Sequence, residues 1–344
     1  MNMTTGSSLS APSGRRSSLV SAAAATILAS LASVGCGGGS PGKPSGGSGG
    51  AGGGGALGVI DRPCAAATRL GGFELVLVAP TPTVEGYAQL IGTVQDKANP
   101  NKIWQATATE GDCRLMVGPA CTTSCTLPSV CDGASCVAGP TTKTVGTVTV
   151  TGLNSALSAM PNSQKNYYAP ASASGFPPAA PGANVVLTAT GGDYAGFSLR
   201  GAGFPIIDSP SATLPFQMGK PFTATWTPPP APVASRMFVK VDIAFHGGVD
   251  AQIQCNVADN GSVTISASLV DALLARGVAG FPTAFLTRQT VDSADVGGGC
   301  VDFAMTTVFN GTTGIQLMIP GITSCNEDTD CPSGMTCGQD LKCK

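Results

Sequence analysis

Thirteen cysteines carry most of the chemistry open to this 344-residue chain. With Cys36 set aside, twelve remain: Cys64, Cys113, Cys121, Cys125, Cys131, Cys136, Cys255, Cys300, Cys325, Cys331, Cys337 and Cys343. An even set of this size predicts six disulfides and therefore an oxidising compartment. Zinc is the rival use of clustered cysteine, but the chain has one histidine and no paired C-x-x-C, so no metal and no cofactor are expected. Residues 121–136 read CTTSCTLPSVCDGASC. Sixteen residues with four cysteines bury no core, so cross-links must hold this insert. Cys64 and Cys113 are then left as partners, and Cys255 is expected to pair with Cys300 across a second domain. In the tail, Cys325, Cys331, Cys337 and Cys343 recur with five residues between each, and three pairings stay open.

Catalytic chemistry finds little support. His246 is the only histidine, so any Ser–His or Cys–His mechanism must use it. Phe245-His246-Gly247-Gly248 is similar to the His-Gly-Gly oxyanion segment of esterases, but no G-x-S-x-G stands between a strand and a helix. The one match to that motif, at residues 46–50, lies in a glycine tract. His246 is expected to flank a turn. Gly191–Gly196 and Gly201–Gly203 open no βα unit and read as strand-linking turns. The acidic cluster Asn326, Glu327, Asp328 and Asp330 lacks the glycine and final glutamate of a calcium loop, since Cys331 stands where the glycine belongs. Asp242, Asp250, Asp292 and Asp302 are candidates for a carboxylate pair and fall in no motif. Asn260 and Asn310 begin sequons that read as turns.

These residues must be placed by β-structure. Between Val59 and Ser155, strand patterns cover Phe73–Val78, Gln89–Val94, Ile103–Thr109, Arg114–Val117 and Thr144–Val150. Residues 156–183 are rich in Pro, Ser and Ala and predict a connector with little regular structure. Eight short runs follow in 184–320: Val185–Ala189, Gly196–Arg200, Pro221–Trp226, Met237–Phe245, Ala251–Val257, Val263–Ile265, Ala284–Thr290 and Val301–Val308. Runs of this length and spacing predict an antiparallel β-sandwich of immunoglobulin or jelly-roll type, with Trp226 in its core. One helix is expected over Leu269–Arg276, capped by Ser268 and stopped by Gly277. The fold class is thus all-β: a sandwich over 184–320, a smaller β domain over 59–155 with its cysteine-rich insert, and a cysteine-rich tail over 321–344. A long disordered N-terminal segment precedes them.

Composition sets the outer limits. Charged residues make up 11% of the chain, with 47 Gly and 26 Pro, which suits short strands and many turns. Removing residues 1–35 removes two of the 18 basic residues and none of the 20 acidic ones, leaving a formal charge of −4. A faintly acidic chain without basic runs argues against nucleic-acid binding, which rests on neutralising phosphates.

The N-terminus gives an address. Arg15 and Arg16 precede an apolar run from Leu19 to Val34 that is too short to span a bilayer and suits a signal peptide over 1–35. The end of this run resembles a bacterial lipobox, with Gly35 in the small position before Cys36, Val34 before it, and Ser33 where leucine is usual. The alternative is ordinary cleavage after Ala32, which leaves Cys36 as a thiol. The lipobox resemblance implies that Cys36 carries acyl chains such as palmitate, each buried CH₂ contributing about 0.8 kcal/mol. It also implies that neutral Gly37 directs the protein to the outer membrane. Residues 36–58 form a lipid-anchored Gly/Ser tether, disordered and with a reach of roughly 25 Å.

The signal ending at Cys36, the tether, Cys131-Asp-Gly-Ala-Ser-Cys136 followed by the Val145–Leu153 run, and the terminal cysteine ladder together resemble the uncharacterised surface lipoproteins of myxobacteria. The ladder is also similar in spacing to small extracellular cysteine modules that bind proteins, such as Dickkopf-like modules. No catalytic residue follows from either resemblance. The expectation is a non-enzymatic lipoprotein at the outer membrane or cell surface, or otherwise periplasmic or secreted. It would be structural, adhesive or ligand-binding, with the lipid bilayer as one partner and a protein or glycan outside the cell as another. The alternatives are a carbohydrate-binding sandwich, a hydrolase with an unrecognised carboxylate pair, and a protease inhibitor built on the cysteine modules.

Overall fold

Alternation of large apolar and polar side chains gives the first strand two faces. In Arg69–Val78 (β1), Phe73, Leu75 and Leu77 enter one core, while Glu74 and Val76 point the other way. The computed structural model describes residues 58–344 except 82–84, 122, 173–174, 208–212, 230–233, 247, 249 and 309–313. The signal peptide, the proposed lipid site Cys36 and all but the last residue of the tether lie outside the described residues.

The first half of the chain continues with Tyr87–Gln95 (β2), Gln105–Glu110 (β3), Cys113–Val117 (β4), Ser129–Asp132 (β5), Ser135–Ala138 (β6), Thr142–Lys143 (β7), Val148–Thr151 (β8), Leu157–Ala159 (β9) and Asn166–Ser172 (β10). The second half adds Asn184–Ala189 (β11), Phe197–Ala202 (β12), Thr213–Pro215 (β13), Phe222–Thr225 (β14), Arg236–Asp242 (β15), Ala251–Ala258 (β16), Ser262–Ile265 (β17), Thr283–Asp295 (β18), Cys300–Val308 (β19) and Ile315–Met318 (β20). The single α-helix among the described residues, Ala267–Leu274 (α1), lies between β17 and β18. The protein is all-β, as its sequence predicts.

One long sheet organises the molecule, in the order β10-β2-β1-β19-β18-β15-β16-β4-β3. Its neighbours are antiparallel except β1 and β19, which run parallel. Strands from 59–155 and from 184–320 therefore share one sheet, and the expected domain boundary does not separate two sheets. Cross-strand partners project from the same side, so the register identifies the buried face. Phe73 pairs with Phe303, Phe303 with Asp292, Met237 with Arg288, and Cys255 with Cys113.

Two cores lie on this one face. The first is covered by a four-stranded sheet, β12-β11-β8-β9, which packs Val148, Val150, Val185, Leu187 and Leu199 onto Phe73, Phe303 and Met305. The two layers meet so closely at Gly201 that a Cβ there would lie 2.3 Å from the Met305 sulfur. The second core is covered by the β14–β17 ribbon and α1, which bring Phe222, Trp226, Leu269, Val270 and Leu273 onto Met237, Val239, Ile253 and Leu286. Each such apolar side chain contributes roughly 1.5–3 kcal/mol on burial.

Several local expectations are corrected. The connector 156–183 contains β9 and β10, and β10 is an edge strand of the long sheet. Its Tyr167 is buried edge-on against Phe73 at 5.2 Å, and its hydroxyl accepts a hydrogen bond from Val145 N at 2.7 Å. The strand expected over Thr144–Val150 begins only at Val148, because Gly146 has φ +75° and turns the chain. Met237–Phe245 stops at Asp242, whose Oδ1 accepts from Ala244 N in a side-chain turn. The helix cap is Ser266 rather than Ser268: the Ser266 hydroxyl accepts from Leu269 N at 3.3 Å, and Ser268 donates to Glu110.

Candidate ligand-binding face and the disulfide modules

Six disulfides consume all twelve cysteines from Cys64 onward. Two of the expected pairs are replaced. Cys64 bonds Cys300 rather than Cys113, and Cys113 bonds Cys255. Sheet topology is the reason. β1 and β19 are parallel, so Cys64, just before β1, meets Cys300 at the start of β19. Cys113 and Cys255 are direct register partners on β4 and β16.

The insert and the tail are closed within themselves, as their density predicts. Both interlace their cysteines first to third and second to fourth: Cys121–Cys131 with Cys125–Cys136, and Cys325–Cys337 with Cys331–Cys343. The β5–β6 hairpin frames the insert, and Leu127, just before β5, is 86% exposed. The tail is tied to the domain by a hydrogen bond from Gly280 N to Asp340 O. Cysteines crowd in three places where a metal could otherwise sit, but their sulfurs are in disulfides and offer no thiolate. The acidic cluster of the tail serves its own backbone. Asp330 Oδ2 accepts from Asn326 N at 2.7 Å and Glu327 N at 3.3 Å, and Asp328 Oδ1 accepts from Cys337 N at 2.7 Å.

Of the candidate carboxylates, Asp292 and Asp302 do not share a face of the sheet, because Asp302 registers with Ser293. Asp302 accepts from Arg69 Nη2 at 2.6 Å and Cys64 N at 2.7 Å. Asp292 accepts from Arg62 Nη2 at 2.7 Å and Arg200 N at 2.8 Å. Burial pushes the Asp302 carboxyl up against the opposing pull of Arg69. Asp250 is exposed at the start of β16, and His246 lies in the turn between β15 and β16 with φ +65°. Gly191–Gly196 forms the β11–β12 connection.

The seam between the two cores is polar and holds a buried ion pair. Arg288, on β18, is 0% exposed and uses all five of its N–H donors: two on Asp259, and one each on the carbonyls of Pro205, Ile206 and Thr227. Asp259 also accepts from Trp226 Nε1 at 2.8 Å and Ser235 Oγ at 2.9 Å. Trp226 is thus in the core with its one polar atom satisfied.

The sheet face away from the cores is different. On β15, Met237, Val239 and Val241 enter the second core, which directs Phe238, Lys240 and Asp242 to the opposite face. One cross-strand row on that face runs Phe285, Lys240, Gln254, Arg114 and Thr109. Lys240 Nζ sits 4.4 Å from the Phe285 ring centroid, and Phe285 packs edge-on to Phe245 at 5.2 Å. Burial holds the Lys240 ammonium below its ordinary range, partly opposed by the Asp242 charge, and burial pushes the Asp242 carboxyl up. Gln252 and Gln254 are buried on the same face, and Gln254 Nε2 has no acceptor. Half-buried aromatic rings beside amides and cations form a surface that can hold a polar ligand. Sequence reasoning missed it, because Arg114, Lys240 and Gln254 meet only through strand order.

Comparison with protein-family profiles, with curated proteins and with solved structures finds no match to this chain.

Proposed function

We propose that this chain is an exported, non-enzymatic protein, lipid-anchored at Cys36, that presents a β-sandwich and two disulfide modules outside the membrane. Its ligand-binding surface is the sheet face that bears Lys240, Gln254 and Arg114. The observation that carries the reading is cysteine accounting. Twelve of the thirteen cysteines are joined in six disulfides, which leaves no cysteine of the chain for Cys36 to pair with. Six disulfides suit an oxidising compartment. A lone cysteine after an apolar run and before a glycine-rich tether suits acylation. The tether, roughly 25 Å in reach, holds the folded part clear of the headgroups.

Membrane fractionation of cells expressing the full chain tests this reading. The protein sediments with membranes and needs detergent for release, whereas the Cys36→Ser variant is recovered in the soluble fraction. Equal release of both forms by a salt wash counts against the anchor.

A further inference from the structure

We propose that the cross-strand row Lys240, Gln254 and Arg114 binds an oxyanion group, a carboxylate, sulfate or phosphate borne by an extracytoplasmic ligand. The proposal deepens the ligand-binding reading above and rests on it.

The three side chains are register neighbours on β15, β16 and β4, and such neighbours stand about 5 Å apart on one face. Lys240 offers three N–H donors and Arg114 five. Among the described residues neither side chain is engaged in a hydrogen bond or ion pair; Lys240 Nζ lies over the Phe285 ring and interacts through its charge with Asp242. Gln254 is 6% exposed, and its buried Nε2 is also without an acceptor. A buried donor left unmade costs about 1–3 kcal/mol, and folded proteins keep few of them. One unmet buried donor between two partly exposed cations without a hydrogen-bond or ion-pair partner among the described residues therefore marks a place where an acceptor can come from outside the chain.

The charge of that acceptor follows from the donors. Two of the three groups are cations, and the ammonium is already partly desolvated, so an anion gains more there than in water. The planar guanidinium fork matches the paired oxygens of a carboxylate or phosphate. Asp242, on the same strand and face, acts on the Lys240 charge, but its Oδ1 is engaged by Ala244 N at 3.0 Å and burial pushes its carboxyl up. The Phe285 ring keeps the ammonium in place by a cation–π contact. The row is thus laid out in advance of binding.

The test uses the full chain with Cys36→Ser and its disulfides intact, titrated calorimetrically at low salt with sodium sulfate, sodium phosphate and glucuronate. Co-sedimentation with phosphatidylglycerol vesicles is measured in parallel. At least one probe binds, and Lys240→Met and Arg114→Met each weaken it tenfold or more. Lys220→Met, which removes the same charge elsewhere, leaves binding unchanged. Gln254→Leu removes an unmet donor, keeps the fold, and also weakens binding, so the row is tested even if Lys240→Met is unstable. Glucuronate binding identifies an acidic saccharide as the source of the oxyanion, sulfate or phosphate binding a tetrahedral anion, and row-dependent vesicle binding a lipid headgroup. Absence of binding to all four probes, or binding that Lys240→Met and Gln254→Leu leave unchanged, overturns the proposal. Loss of the anchor reading alone would show as an unlipidated Cys36 with anion binding intact.

Discussion

Arg288 grips Asp259 with two hydrogen bonds, Nε to Oδ2 at 2.6 Å and Nη2 to Oδ1 at 3.0 Å, where the two cores of the long sheet meet. The side chains are 1% and 5% exposed. Three carbonyls from the segments at Pro205–Ile206 and Thr227 complete the guanidinium shell. One ion pair thereby joins β18 to the chain entering and leaving the covering layers.

Removing either partner strands the other. Arg288→Met leaves Asp259 buried without its counter-charge, and a broken buried pair costs about 3–5 kcal/mol. Urea denaturation should show that loss, and the double variant Arg288→Met/Asp259→Asn should recover part of it. A loss below 1 kcal/mol for the single variant would show that the seam is not held by this pair.

The two long-range disulfides restrain the unfolded chain most. Cys64–Cys300 spans 236 residues and Cys331–Cys343 spans 12. On the chain-entropy account these closures contribute on the order of 5 and about 3 kcal/mol respectively. Cys64→Ser/Cys300→Ser should therefore lower the global midpoint more than Cys331→Ser/Cys343→Ser, which should mainly expose the tail to protease. A non-reducing peptide map should recover Cys64 with Cys300 and Cys113 with Cys255.

These pairs mark the line between what is legible in the sequence and what is not. Strands such as β1 can be read directly, because Phe73, Leu75 and Leu77 alternate with residues of the other face. The even cysteine count, the self-contained insert and the self-contained tail can be read in the same way, because each depends on local spacing. Strand order is different. It turns on pairings between distant segments, β1 with β19 in parallel and β4 with β16 antiparallel, and no local pattern encodes them. Cys64 and Cys300, and the row Lys240, Gln254 and Arg114, follow from that order and so stay hidden. β10 is hidden for another reason: the Pro, Ser and Ala around it mask Tyr167, whose place is set by Phe73 and Val145.

Tyr167 gives a direct test of that hidden strand. Its hydroxyl is the acceptor for Val145 N. Tyr167→Phe keeps the ring and leaves a backbone donor unmet, at a cost of about 1–3 kcal/mol. A smaller loss, or unchanged exchange of the Val145 amide in hydrogen-exchange measurements, would contradict the contact.

Glu74 should make stability fall as pH rises. It is buried on the face away from the cores; Thr306 donates to Oε1, and Oε2 has no partner. Burial pushes its carboxyl above the ordinary 4.5 despite the Thr306 hydrogen bond. The folded state then holds this proton more tightly than the unfolded chain. The group's contribution is favourable at low pH and is lost as pH rises from 4.5 through the raised value. Glu74→Gln carries no such loss. The melting temperature of Glu74→Gln minus that of the wild type should grow between pH 4.5 and pH 8, and a flat difference would show that the carboxyl ionises freely.

The central claim is that Cys36 stands apart from the other twelve cysteines as an acylated anchor. Intact mass spectrometry of the mature protein, extracted from membranes and alkylated without reduction, measures this directly. The account predicts a chain beginning at Cys36, heavier than its sequence by its acyl chains, with no alkylated cysteine. A chain beginning elsewhere with Cys36 alkylated would contradict the anchor, and thirteen alkylated cysteines would contradict both the compartment and the disulfide framework.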